Sequence, residues 1–162
     1  MSEQALDFTL PNVGPGPDPL SLSDLAADHD FVVLFFQRDQ YCTNCRKQVK
    51  QVRDRYGDFA DRNAQVVFIV PEPRGAVEEW QQRYDLLYPL CADPDASVGE
   101  AYDQPVRFGF LGRWSDFLGR MPVVVLVDVR ETPGVVWSYR GSSTFDRPVI
   151  DEILANIDEY AD

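Results

Sequence analysis

Residues Phe31-Val32-Val33-Leu34-Phe35-Phe36 form an unbroken apolar run, and Cys42-Thr43-Asn44-Cys45 follows shortly after it. A run of β-formers with no polar alternation has to be covered on both faces, which predicts a central strand flanked by helices. From Cys42 to about Asp61 the period changes. Cys45, Val49, Val52, Tyr56 and Phe59 recur at helical spacing and make one apolar stripe. A second apolar run, Val66-Val67-Phe68-Ile69-Val70, is stopped by Pro71 and Pro73. Strand, helix and strand in that order, with both strands buried, predict a parallel crossover.

The other elements are shorter. Phe8-Thr9-Leu10 reads as a short strand, Gly14 to Pro19 as a turn-rich linker, and Ser21 to Ala27 as a short capped helix. Ala76 to Tyr84 reads as a helix, Tyr88 to Cys91 as an extended segment, and Ala96 to Tyr102 as a short helix after the turn Asp93-Pro94-Asp95. A Gly- and aromatic-rich connection over 103–120 holds Phe108, Phe110, Trp114 and Phe117. Pro122 to Asp128 and Val135 to Tyr139 read as an antiparallel hairpin, and Ile150 to Tyr160 as a closing amphipathic helix. The expected fold class is α/β: a central mixed sheet, half parallel and half antiparallel, with helices on both faces. The expected organisation is one domain over 1–162, with residues 1–30 as an N-terminal extension packed on it.

The net charge is −12, and the basic residues are almost all arginine; Lys47 and Lys50 are the lysines. Such a balance argues against nucleic acid or an anionic membrane as a partner. An Asp-rich, Lys-poor surface suggests a cytosol of high salt, where self-repulsion is screened. With neither a signal peptide nor an apolar span, the expected location is cytoplasmic. Five of the basic groups, Arg46, Lys47, Lys50, Arg53 and Arg55, are crowded into 46–55 against the single acid Asp54. Their field would lower a nearby thiol pKa and attract anionic partners; a solvated helix face is the simpler reading.

The three cysteines, in a chain of cytosolic character, point to redox chemistry rather than a structural framework. A closed zinc site is not expected: Cys91 and His29 supply no second ligand pair, and no metal or cofactor is implied. Cys42 falls where a helix begins, so free N–H groups and the helix dipole would favour its thiolate. Cys45, one turn later, is expected to be more buried and suits a resolving role. Cys91 is expected in the core and His29 in a surface loop. Two ordinary core cysteines would be the alternative at 42 and 45.

The element order, with Cys-x-x-Cys after the first core strand, resembles the thioredoxin fold. Phe8-Thr9-Leu10-Pro11, Leu20-Ser21-Leu22-Ser23-Asp24-Leu25 and Val32 to Phe36 resemble the opening of peroxiredoxins, the alkyl hydroperoxide reductase and thiol-specific antioxidant family. Tyr88-Pro89-Leu90-Cys91-Ala92-Asp93, then Pro122 to Asp128, Gly134-Val135 and Arg140-Gly141, continue the likeness. Peroxiredoxins carry Pro-x-x-x-Thr/Ser-x-x-Cys at the peroxidatic thiol. Counted back from Cys45, those positions hold Arg38 and Cys42; counted back from Cys42, they hold Phe35 and Asp39. An aromatic-Cys-x-x-Cys, Tyr41 to Cys45, stands there instead and leads into Arg46, as in a divergent peroxiredoxin-like branch.

The resemblance implies a thiol oxidoreductase that reduces peroxides through Cys42 and Cys45 and is recycled by a thioredoxin-like or other dithiol reductant. Alignment from the strand puts Cys45 on the peroxidatic position, whereas exposure at the helix start favours Cys42 as nucleophile. Tyr41, Thr43 and Arg46 flank the thiols. Met121-Pro122 matches the cis-proline site of thioredoxin-like proteins, and Arg120 could steady the thiolate. The alternatives are a thioredoxin-like protein disulfide reductase and a redox-sensing adaptor contacting partners through the 108–117 segment. A homodimer is compatible with this likeness.

Overall fold

The strand β4 (Phe31–Phe36) sits inside a six-stranded sheet of a computed structural model that describes residues 3–4, 7–37, 43–102, 123–140 and 148–161. The elements before it are β1 (Glu3–Gln4), β2 (Thr9–Leu10), β3 (Leu20–Ser21) and α1 (Leu22–Ala26). After it come α2 (Thr43–Asp54), α3 (Tyr56–Ala60), β5 (Ala64–Val70), α4 (Arg74–Tyr84), β6 (Leu90–Ala92), α5 (Ser97–Ala101), β7 (Val123–Asp128), β8 (Gly134–Arg140) and α6 (Ile150–Ala161). The strand order is β1-β8-β7-β4-β5-β6, and β2 and β3 pair separately.

β4, β5 and β6 are parallel, and β4–β7 and β7–β8 are antiparallel, so the sheet is mixed. All six side chains of β4 are buried because alternate residues enter two different cores. Phe31, Val33 and Phe35 pack with α2, α3, α4 and α6. Val32, Leu34 and Phe36 pack with α1, β2, β3 and Val98 of α5. The order β4-β5-β6 runs steadily to one edge, so crossovers of one hand put α2, α3 and α4 on one face.

One apolar stripe becomes two helices. Cys45, Val49, Val52 and Phe59 are buried as its spacing predicts, and Tyr56 is half-buried. The chain leaves helical geometry at Arg55 (φ −110°, ψ 14°), which separates α2 from α3. An aromatic stack joins this face: Phe35 on Phe68 at 4.5 Å between centroids, and Phe68 on Tyr88 at 5.2 Å. The Tyr88 hydroxyl donates to the Val49 carbonyl at 2.8 Å, tying the loop before β6 to α2.

The Gly14–Pro19 linker is pinned in place. Asn12 Nδ2 donates to the carbonyls of Pro15 and Pro17, each at 3.0 Å, while Oδ1 accepts from Gly14 N and Leu90 N at 3.0 Å. Val13 N donates to Leu90 O and Ala92 N to Pro11 O, covering the edge of β6. A Cβ on Gly14 would lie 2.6 Å from the Tyr88 carbonyl oxygen, so only glycine lets the loop come this close. His29 lies in the loop after α1, half-buried, with Nδ1 3.0 Å from the Leu25 carbonyl.

Candidate functional site

One end of the sheet collects the chain segments that matter. β4, β5 and β6 all end there, since Gln37 N donates to Ile69 O at 2.9 Å and Asp93 N to Val70 O at 2.8 Å. β7 begins there with Val123 opposite Phe36, and β8 ends there with Arg140 opposite Val123. The strand that follows Pro122 in sequence therefore starts beside the strand that leads toward Cys42.

α2 opens at Thr43 and carries Cys45 in its first turn. Cys45 is fully buried among the residues that cover the Phe35 face, and it is disulfide-bonded. Cys91 is a free thiol, fully buried on β6 under the opposite face. Burial, with the charges of Asp18 and Asp93 added, pushes the Cys91 thiol up to about 12. It stays protonated at neutral pH and is a packing group, as its apolar setting suggested.

Two glutamines fasten strand to helix. Gln37 Nε2 donates to Gln48 Oε1 at 3.1 Å, and both side chains are buried. Gln48 is three residues after Cys45, so this bond fixes the first turns of α2 against the end of β4. Sequence reasoning missed the pair. The available signal was a polar residue ending an apolar run and another interrupting an apolar stripe. Asp93 is the second missed anchor. Its buried carboxylate accepts from Ser97 N and Oγ, Val98 N and Gly99 N at 3.0–3.3 Å, which sets α5 at this same sheet end.

Of the basic run, Arg46 is half-buried and Lys47 and Lys50 are exposed. Arg53 instead donates to the Tyr84 carbonyl at 2.9 Å and bridges α2 to α4. Tyr41, Cys42, Arg120, Met121 and Pro122 lie outside the described residues, as does the aromatic segment 103–120. A cavity of 430 Å³ beside Asp128, Arg130 and Gly134 is at the opposite end of the sheet and does not belong to this site.

Residues 1–132 match the sequence pattern of the AhpC/TSA family. The chain belongs to the AhpC/TSA family. Its relatives include the Mycobacterium tuberculosis (strain H37Rv) protein Rv2521, described as a peroxiredoxin, 30% identical over 62% of this chain and 61% of that protein. The thiol-disulfide oxidoreductase ResA of Bacillus subtilis is 28% identical over 57% of this chain and 51% of its own length. These matches span less than two thirds of either relative. Among solved structures, peroxidoxin BcpB from Mycobacterium tuberculosis superposes with a TM-score of 0.79 at 25% identity, covering 98% of this chain and 96% of that one. The thioredoxin-like fold with its mixed sheet is thus shared along almost the whole chain. Among the described residues, no helix is long and apolar enough to cross a membrane.

Proposed function

We propose that this AhpC/TSA-family chain is a thiol-dependent enzyme that reduces peroxides through Cys42 and Cys45. The observation that carries this is the state of the cysteines: Cys45 is disulfide-bonded at the start of α2, and Cys91 is free and walled into the core. Cys42, three residues before Cys45 in the sequence, is the partner proposed for it. In this reading Cys42, next to the first helical residue, is the nucleophile, and buried Cys45 resolves it.

The Cys42 thiolate attacks the distal peroxide oxygen. The O–O bond breaks, the alkoxide leaves and takes a proton as an alcohol, and Cys42 becomes a sulfenic acid. The Cys45 sulfur then attacks Cys42 and closes the disulfide, and the hydroxyl departs with a proton as water. Two electrons pass from the dithiol to the peroxide, and an external dithiol restores them. Tyr41, Thr43, Arg46, Arg120, Met121 and Pro122 are proposed to frame the thiolate. The gathering of β4, β7 and α2 at one sheet end supports that grouping. The working unit is one domain over 1–162, supported by Leu20, Leu22 and Leu25 sharing a core with Val32 and Leu34. A reducing cytoplasm suits such a dithiol cycle.

Cys-x-x-Cys in place of Pro-x-x-x-Thr-x-x-Cys favours a second reading, reduction of protein disulfides, as does the likeness to a thiol-disulfide oxidoreductase. Stopped-flow mixing of the reduced protein with hydrogen peroxide separates the two. The peroxidase reading expects thiol loss at least a hundredfold faster than a free low-pKa thiol shows in the same buffer. Loss at the free-thiol rate, together with brisk reduction of insulin disulfides, would favour the disulfide reductase.

A further inference from the structure

We propose that the exposed basic face of α2 is a docking surface for an acidic dithiol protein that reduces the Cys42–Cys45 disulfide. This rests on the redox reading of that pair. Helix α2 carries Arg46, Lys47 and Lys50 within its first two turns and has no acid in its first turn. Lys47 and Lys50 stand three residues apart, so two exposed like charges are neighbours on the helix surface, with Asp54 one turn further on. They also sit at the helix N-terminal half, where the dipole disfavours cations. A helix that breaks two local rules at once has them offset by something outside itself.

The contrast with the rest of the molecule is sharp. Arg53, Arg55, Arg62, Arg74 and Arg130 all pair with carboxylates. Lys47 and Lys50 are exposed and form no ion pair among the described residues, in a chain of net charge −12. Both lysines of the chain thus lie two and five residues after Cys45 and form no ion pair with a described acid, while Asp54 of the same helix pairs with Arg53. Elsewhere the negative field would repel an acidic partner; here it would be drawn in next to the disulfide.

The step such a partner performs is balanced. Its thiolate attacks one sulfur of the disulfide, forming a mixed disulfide and releasing the other sulfur as a thiolate that takes a proton. Its second thiol then loses a proton and displaces the chain from the mixed disulfide, and the freed cysteine takes up a proton. The chain gains two electrons, and the partner leaves as its own disulfide.

The test uses the full-length oxidised chain, and Lys47→Glu/Lys50→Glu in the same form, with three reductants. These are an acidic thioredoxin, uncharged dithiothreitol, and reduced glutathione as a small anionic thiol. At low ionic strength the thioredoxin-to-dithiothreitol ratio of second-order rates is expected to fall about tenfold in the double variant. The difference should shrink to within about twofold at 1 M KCl, where the screening length is ~3 Å. A ratio unchanged by the substitutions overturns the docking surface. An equal fall in the glutathione ratio also overturns it, since the face would then attract any anion. A disulfide that none of the three reduces would instead sink the redox reading itself, and the docking surface with it.

Discussion

Cys91 and Tyr88 show what single residues contribute away from the proposed Cys42/Cys45 pair. Burial first, then the Asp18 and Asp93 charges, hold the Cys91 thiol up at about 12. The native, reduced protein should therefore leave Cys91 unlabelled by an aromatic disulfide reagent at pH 8, and label it fully in guanidinium. Cys91→Ala should keep peroxide turnover and lose about 1–2 kcal/mol of stability, the scale of a small core truncation. Tyr88 is wholly buried with its hydroxyl on the Val49 carbonyl, so Tyr88→Phe should cost about 1 kcal/mol in chemical denaturation. At this scale the burial of Cys45 and of Cys91 was legible, from the apolar stripe and the apolar segment they belong to. Gln37, Gln48 and Asn12 were not. Whether a polar side chain is buried depends on a partner far along the chain, and no local pattern records it. The residues named at 41–42 and 120–122 lie outside the described part of the chain.

Elements behave as their ends dictate. Arg130 holds the C-terminus of α6 by donating to the Tyr160 and Ala161 carbonyls at 2.9 and 3.2 Å, and it binds Asp128 at 2.7 Å. Its guanidinium also lies 4.9 Å from the Phe31 ring centre. The Arg130 hydrogen bond keeps the Asp128 carboxyl below its ordinary value. A carboxylate depressed in the folded state stabilises it above the unfolded pKa, and that contribution is lost as pH falls through the folded value. Arg130→Ala should lower stability by about 1–2 kcal/mol at pH 7. The gap to wild type should narrow as pH drops from about 5 toward 2, in urea titrations at each pH. Long elements were readable from periodicity: β4 and its run coincide, and α4 and α6 differ by a residue or two. The two-residue strands β1 and β3 were not, being too short for any period to show. The single helix expected over 42–61 is two, because the stripe continues across the kink at Arg55.

The whole molecule is acidic, at −12, and α2 sets a basic face against that charge. At −12 the folded state repels itself, so the melting temperature should rise steadily as KCl goes from 0.05 to 2 M, beyond the rise of a near-neutral relative. A flat response would show that the acids are already offset locally, as the arginine pairs are. The sheet architecture was legible in its parallel half, from buried runs separated by helical stripes, and in its hairpin. The β1–β8 edge was not, since the two residues Glu3–Gln4 are too few to show a period. The site was legible as a place, the sheet end where β4 stops and β7 starts, because that follows from strand order rather than from any one residue. What joins these scales in the proposed function is a dithiol at that place, cycling with peroxide, while buried Cys91 stays out of reach. The most direct measurement is peptide mapping of the reduced protein after one equivalent of hydrogen peroxide, without reductant. The account predicts one Cys42–Cys45 disulfide per peroxide consumed, with Cys91 recovered as a free thiol. A disulfide through Cys91, or a sulfinic acid at one cysteine with no disulfide, would contradict it.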